Sequence, residues 1–314
     1  MKLSVITTLY KSSMFLEEFC QRAISAAQKL VGDDYELILI NDGSPDDSIQ
    51  RALELQKHHE HIKIVDLSRN FGHHAAIVAG LELSIGERVF LMDCDLEEHP
   101  EWLSLFSERM DSSGADVIYG VQQQRTASRT SNFFGELFWS ALNFMSSVRI
   151  PHNPMTCRLM TRKYVDSLLT VQDRVLYLAG TFAWAGFTQI AVPLTKTPRT
   201  SIQKSSYNLS RKLMQVADSF ASFSVAPLIL LFFTGLSIWL GSILFAIGIL
   251  IEKILFPQTI LSGFTSIMIS IWFLGGTIIL GVGVTGLYIA KIFQETKRRP
   301  LYIVRETYGK KNEK

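Results

Sequence analysis

The amino-acid sequence predicts an α/β domain on a mostly parallel sheet, followed by interfacial amphipathic helices and a pair of membrane-crossing helices. Three observations predict it. Short apolar or β-branched runs alternate with helical patterns over the first 120 residues. Residues 219–251 and 254–290 each run without a single charged side chain. Basic residues cluster on both sides of that pair and are almost absent between them.

The strand candidates come in order as 3–9 (LSVITTL), 36–40 (ELILI), 62–67 (IKIVDL), 88–92 (RVFLM) and 116–119 (DVIY). The first helix candidate covers 15–27. Its apolar residues Phe15, Leu16, Phe19, Ala23, Ala26 and Ala27 recur at helical spacing. Pro45-Asp46-Asp47 opens a second helix with acidic residues in its first turn, and Pro100-Glu101 opens a third. Strands that alternate with helices form a parallel sheet covered on both faces. In such sheets the ligand sits beyond the carboxyl ends of the strands.

From about Thr130 the pattern changes. Residues 131–148 are aromatic-rich with one acid, and 207–223 is a second amphipathic stretch; both suit helices lying in a membrane interface. Each uncharged stretch exceeds the roughly 20 apolar residues that a bilayer core requires. Their position near the C-terminal end excludes a signal peptide. Arg211 and Lys212 precede the first stretch, and Lys291, Lys297, Arg298, Arg299, Arg305, Lys310 and Lys311 follow the second. The loop between them holds only Glu252 and Lys253. The excess of Lys and Arg therefore places the N-terminal domain and both termini in the cytoplasm, on an inner or cell membrane. The expected organisation is an α/β core over 1–130, a segment with amphipathic interfacial helices over 131–226, a two-helix hairpin over 227–290 and a basic tail over 291–314. Cys20, Cys94 and Cys157 are widely spaced, which suits a reducing compartment and argues against a zinc site. The formal net charge of +2 by itself says little, and no nucleic-acid partner is expected.

The strongest chemical signal is Asp93-Cys94-Asp95, directly after the apolar run RVFLM. Two carboxylates just past a strand end would flank a phosphate site, with Mg²⁺ or Mn²⁺ offsetting the charge of a diphosphate. The bland alternative is a solvated turn. The second signal is Asn41-Asp42-Gly43-Ser44-Pro45-Asp46-Asp47, where Asp42 could accept hydrogen bonds from a base or ribose. A helix cap and turn would explain Ser44 to Asp47 equally well. The third is Ser68-Arg69-Asn70-Phe71-Gly72-His73-His74. Arg69 could meet a phosphate, whereas adjacent histidines do not face one way on a helix. The chain has no Gly-x-Gly-x-x-Gly or Walker loop, which argues against dinucleotide and P-loop chemistry.

Together these residues resemble the inverting family 2 glycosyltransferases, and within them the polyisoprenyl-phosphate branch. The resemblance covers nearly the whole chain. It rests on SVITTLY, NDGSPDDS, LSRNFGHHAAIVAGL, FLMDCDLEEHPEWL, CRLMTRKYVDSL, FSVAPL and the terminal GLYIAKIFQETKRRPLYIV. It implies a Rossmann-like GT-A fold and transfer of a sugar from a UDP- or GDP-sugar to a polyisoprenyl phosphate. It also implies donor contacts from Thr8, Tyr10, Asn41, Asp42, Arg69 and Asp93, a metal on Asp95 and Asp93, and a catalytic or acceptor-side role for Arg158. With Arg158, the cations Arg162, Arg199 and Lys204 are candidates for the acceptor phosphate. Relatives form tetramers, so a homo-oligomer is expected by analogy.

The sequence also departs from the family pattern. The usual Pro-x-Tyr-Asn-Glu of the first loop is Thr8-Leu9-Tyr10-Lys11-Ser12, and the usual Gly-Asp-Phe-Arg is Met155-Thr156-Cys157-Arg158. The carboxylate proposed as base in relatives is thus Thr156. A phosphate monoester has a second pKa near about 6 and needs no base to become a nucleophile. The alternatives are a catalytically weak scaffold that partners a lipid-sugar flippase, and a glycan synthase of the same family. The second lacks its Gln-x-x-Arg-Trp motif here.

Overall fold

The computed structural model describes residues 1–122, 151, 153–171, 173, 178–197 and 263–309, with scattered positions between 228 and 251. The chain divides into two units. One comprises Met1–Trp139, Val148–Ser206 and Arg298–Lys314; the other comprises Ser140–Ser147 and Tyr207–Lys297.

The first unit begins β1 (Leu3–Leu9), α1 (Leu16–Val31), β2 (Tyr35–Asn41), α2 (Ser48–His58), β3 (Ile62–Leu67), α3 (His73–Leu83), β4 (Arg88–Leu91), α4 (Trp102–Ser113) and β5 (Val117–Gln122). It continues with β6 (Pro154–Thr161), α5 (Arg162–Leu169), α6 (Leu178–Trp184) and β7 (Gln189–Leu194). A last strand, β8 (Val304–Tyr308), comes from the C-terminal end. The eight strands form one sheet in the order β7-β5-β6-β4-β1-β2-β3-β8. Only β6 and β8 run against the others. This is the mixed α/β sheet of the GT-A type that the sequence predicts.

Both faces of the sheet are covered, which explains the continuous apolar run of β2. Leu37 and Leu39 join Leu3, Leu9, Phe19 and Phe106 under α1 and α4. Ile38 and Ile40 join Ile6, Val65, Ile77 and Val165 under α3 and α5. Each such buried side chain contributes about 1.5–3 kcal/mol. In α1 the buried residues Leu16, Phe19, Ala23 and Ala27 follow the helical spacing read from sequence, and Gly32 ends the helix at φ 65°.

The chain order creates a switch point. From β1 the chain builds outward through β2 to β3, then returns to lay β4 on the other side of β1. A crevice therefore opens between the carboxyl ends of β1 and β4, where α/β sheets bind ligands.

Later segments join the same sheet. β6 pairs antiparallel between β4 and β5, and β7 pairs with β5. From the 291–314 segment, β8 pairs antiparallel with β3 along Ile64–Leu67.

In the second unit the main described element is α7 (Phe264–Thr296), a helix of 33 residues. At about 1.5 Å per residue it is about 50 Å long. Its stretch Phe273–Ala290 is long and apolar enough to cross a membrane. Ile278, Ile279 and Val282 are exposed on it. The other apolar stretch, and the interfacial candidates 131–148 and 207–223, lie wholly or mostly outside the described residues.

Candidate active site

The carboxyl ends of β1, β2, β3 and β4 bring Thr8, Asp42, the 68–74 loop and the 93–98 turn to one edge of the sheet. His73, the first residue of α3, bridges the crevice. Its Nδ1 lies 3.0 Å from Thr8 Oγ1 and its Nε2 lies 3.4 Å from Asp93 Oδ1. Asp95 Oδ1 accepts the Glu97 N–H at 3.2 Å. Between them Leu96 takes a φ of 60°, a left-handed conformation that turns the chain sharply after the two acids.

Asp42 is buried, and its carboxylate is spent on the neighbouring loop. It accepts the N–H groups of Phe71 at 2.7 Å and Gly72 at 3.0 Å, and the Asn70 side-chain amide at 3.0 Å. Burial raises its pKa above the ordinary carboxylate value, against the pull of those N–H groups. Gly43 follows at φ 57°; a Cβ there would come 2.4 Å from the Asn70 nitrogen. Asn41 is buried too, donating to Asp66 at 2.7 Å. Asp66 in turn meets Arg305 of β8 at 3.2 Å. Arg69 is exposed, its guanidinium 4.0 Å above the Phe71 ring. Tyr10 is exposed on the loop after β1.

Sequence reasoning passes over Glu98 and Lys196. Glu98 is fully buried, with Lys196 Nζ 3.2 Å from its Oε1. Among the described residues neither carboxylate oxygen has a partner in good hydrogen-bond geometry. Burial, then the charge of Asp93, push Glu98 up to about 7 while Lys196 opposes them. Burial works against the Lys196 ammonium, but Glu98 and Asp93 hold its pKa above the ordinary value. One signal was visible: Glu97-Glu98 lengthens the acidic run before Pro100. Nothing local pairs it with a lysine 98 residues later; only the sheet topology does.

The expected acceptor cations are placed differently. Arg158 on β6 stands opposite Leu91, near the active edge, but it is buried. Its guanidinium donates to the Thr156 and Met155 carbonyls and lies 3.5 Å over the Phe182 ring. Burial lowers its pKa to about 10, so it stays charged. Arg162 is at the opposite edge, because Thr161 pairs with Arg88 at the start of β4. It donates to the Ser84 and Gly86 carbonyls and tethers α5 to the end of α3. Arg199 and Lys204 lie outside the described residues.

Asp93 and Asp95 offer hard oxygen donors of the kind Mg²⁺ and Mn²⁺ take. Among the described residues no three His, Cys, Asp or Glu side chains converge on one point. A cation held by this pair would complete its shell with diphosphate oxygens and water.

Fold and site define an α/β protein that gathers an acidic turn, a buried carboxylate and an exposed arginine at the carboxyl edge of its sheet. The family model described as glycosyl transferase family 2 matches residues 4–169, and the chain belongs to that family; it is a glycosyltransferase. A Mycobacterium tuberculosis protein named as a glycosyltransferase is 38% identical over 309 residues, covering 98% of this chain and 89% of the relative. The bactoprenol glucosyl transferase of Shigella phage SfX is 30% identical, over 97% of this chain and 99% of its own length. In structure, the mannosyltransferase PcManGT from Pyrobaculum calidifontis, solved with GDP-Man and Mn²⁺, has a TM-score of 0.50 at 16% identity. The match covers 94% of this chain and 87% of that one, and shows the shared fold.

Proposed function

We propose that this glycosyltransferase moves a sugar from a UDP- or GDP-sugar to a polyisoprenyl phosphate on the cytoplasmic face of a membrane, with inversion at the anomeric carbon. One observation carries the reading. The same chain holds an acidic turn at the switch point of a transferase sheet and a 33-residue apolar helix that carries exposed side chains such as Ile278, Ile279 and Val282. A soluble acceptor would leave that helix without a role. The likeness to a bactoprenol glucosyl transferase over nearly the whole of both chains supports the lipid acceptor. The uncharged stretch 219–251 would supply the second membrane pass, and the flanking Lys and Arg residues favour cytoplasmic termini.

The chemistry follows from the charges. An oxygen of the lipid phosphate attacks the anomeric carbon with a lone pair. The bond from that carbon to the donor diphosphate breaks, and its electron pair leaves with the nucleoside diphosphate. The acceptor is largely a dianion at neutral pH, so Thr156 can stand where relatives carry a carboxylate. Asp93 and Asp95 would hold a divalent cation whose charge offsets that of the departing diphosphate. Asp42 fixes the loop that carries Arg69, which leaves that guanidinium exposed for donor phosphates. The test is to incubate the purified full chain with undecaprenyl phosphate and a panel of nucleotide sugars. Release of UDP or GDP that depends on the lipid is expected; release only with a water-soluble acceptor would overturn the reading.

A further inference from the structure

The 93–98 turn packs four carboxylates, from Asp93, Asp95, Glu97 and Glu98, into six residues. Left alone, such a turn would repel both itself and a diphosphate. One ammonium is built against it. Lys196 Nζ lies 3.2 Å from Glu98 Oε1 and 3.7 Å from Glu97 Oε2. The backbone joins the same two segments: the Thr197 N–H donates to the Glu97 carbonyl at 3.1 Å, and Thr197 Oγ1 lies 2.8 Å from His99 Nε2. On its far side His99 meets Arg22 at 2.9 Å, and Arg22 grips Glu101 through two hydrogen bonds. The turn is thus held from α1 on one side and from the segment after β7 on the other. Glu98 is the point where that hold is buried.

We infer that Lys196 is a positioning residue: by pairing with buried Glu98 it fixes the acidic turn against the segment after β7 and sets where Asp93 and Asp95 meet the donor diphosphate. The inference rests on the proposed role of those two acids at the donor. Removing one partner of a buried pair strands a charge, whereas removing both does not. The pair should therefore show strong non-additivity.

The experiment uses the full-length protein with Lys196→Met, Glu98→Gln, the double variant and Lys196→Arg. Binding of UDP and of GDP is measured by calorimetry with Mn²⁺, alongside donor KM, kcat and the thermal midpoint. Lys196→Met is expected to weaken nucleotide binding and raise donor KM by about tenfold or more. Lys196→Arg should recover most of that loss, and the double variant should bind better than Lys196→Met. A purely structural role would lower the midpoint and leave nucleotide affinity of the folded protein unchanged, which overturns the inference. Additive single effects would overturn it too. If Lys196→Met does not accumulate folded, Glu98→Gln decides: wild-type nucleotide affinity and KM in that variant count against positioning. Nucleotide binding by the wild type with no transfer to lipid would instead count against the proposed acceptor and leave Lys196 to be judged on binding alone.

Discussion

Asp42 Oδ1 accepts the backbone N–H of Phe71 at 2.7 Å, so the carboxylate expected to read a nucleoside also anchors the loop beside it. Asp42→Asn cannot replace it. One side-chain oxygen could still take the Phe71 N–H, but the new amide would face the Gly72 N–H and the Asn70 amide, which are donors themselves. The expected outcome is a stability loss of about 0.5–1.5 kcal/mol, from part-buried donors that lose their acceptor. Donor KM should rise with it. Denaturant unfolding and donor titration check the two effects; an unchanged unfolding midpoint would show that the loop does not depend on Asp42.

Gly43→Ala tests the same junction from the backbone. Its φ of 57° alone costs an alanine about 1–2 kcal/mol. The added Cβ would also lie 2.4 Å from the Asn70 nitrogen and 2.5 Å from the Arg69 carbonyl carbon, both backbone atoms that cannot swing aside. The 69–72 loop must move, and Arg69 with it. Donor KM should rise several-fold more than kcat falls. Wild-type donor kinetics in a folded Gly43→Ala protein would separate Arg69 from donor binding.

The parallel half of the fold is legible in sequence for a physical reason. In β1, β2 and β3 nearly every residue is buried, on both faces, so 3–9 and 62–67 stand out by apolarity and match β1 and β3 end to end. The edge strands β7 and β8 lack that signature. β8 (VRETY) is an exposed edge strand rich in charge, and its partner Asp66 is 239 residues from Arg305, so it reads as tail. In β6, Arg158 looks like a free cation because sequence does not show Phe182 arriving to cover it. The acidic turn is legible because its two carboxylates are local. Its counter-charge, Lys196, is not, because it is delivered by topology.

Asp95→Asn should fold and lose turnover. Asp95 accepts the Glu97 N–H, which an asparagine oxygen can also take. What disappears is the negative charge that would hold the donor's cation under the proposed function. Loss of a major electrostatic stabiliser of the transition state is worth about 100-fold or more in kcat. Steady-state rates at saturating Mg²⁺ or Mn²⁺ decide it: near wild-type turnover would remove Asp95 from the metal assignment.

Asp46 gives the fold an acid dependence. Burial would raise its pKa, but hydrogen bonds from Ser44, Ser48 and Ser13 overcome that and hold it at about 2, below the ordinary 3.8. A depressed folded-state pKa means that the stabilisation is complete above about 3.8 and fades as pH falls toward about 2. Asp46→Ala should therefore cost about 1 kcal/mol at neutral pH, the usual value of a helix-start contact. The gap to wild type should narrow as pH falls below about 3.8 and close near about 2 in denaturant titrations. A gap that persists at the acid end would assign the effect to packing and not to the carboxylate.

Arg158 and Thr156 separate fold from chemistry on β6. The sequence expectation is that Arg158 holds the acceptor phosphate, in which case its loss raises the lipid KM. The geometry favours another outcome, because the guanidinium is enclosed by the Met155 and Thr156 carbonyls and the Phe182 ring. Arg158→Ala removes a hydrogen-bond donor from buried carbonyls and opens a void beneath Phe182. Stability should fall by about 2–5 kcal/mol, and the folded fraction should keep its lipid dependence. Arg158→Lys should recover little, since an ammonium cannot stack flat on the ring while reaching both carbonyls. Thr156→Ala should stay active, because the acceptor phosphate is already ionised, and its pH–rate profile should show only the phosphate ionisation near about 6. Unfolding curves and lipid titrations on the three variants decide it. A normal unfolding midpoint in Arg158→Ala with a raised lipid KM would return the residue to the acceptor site.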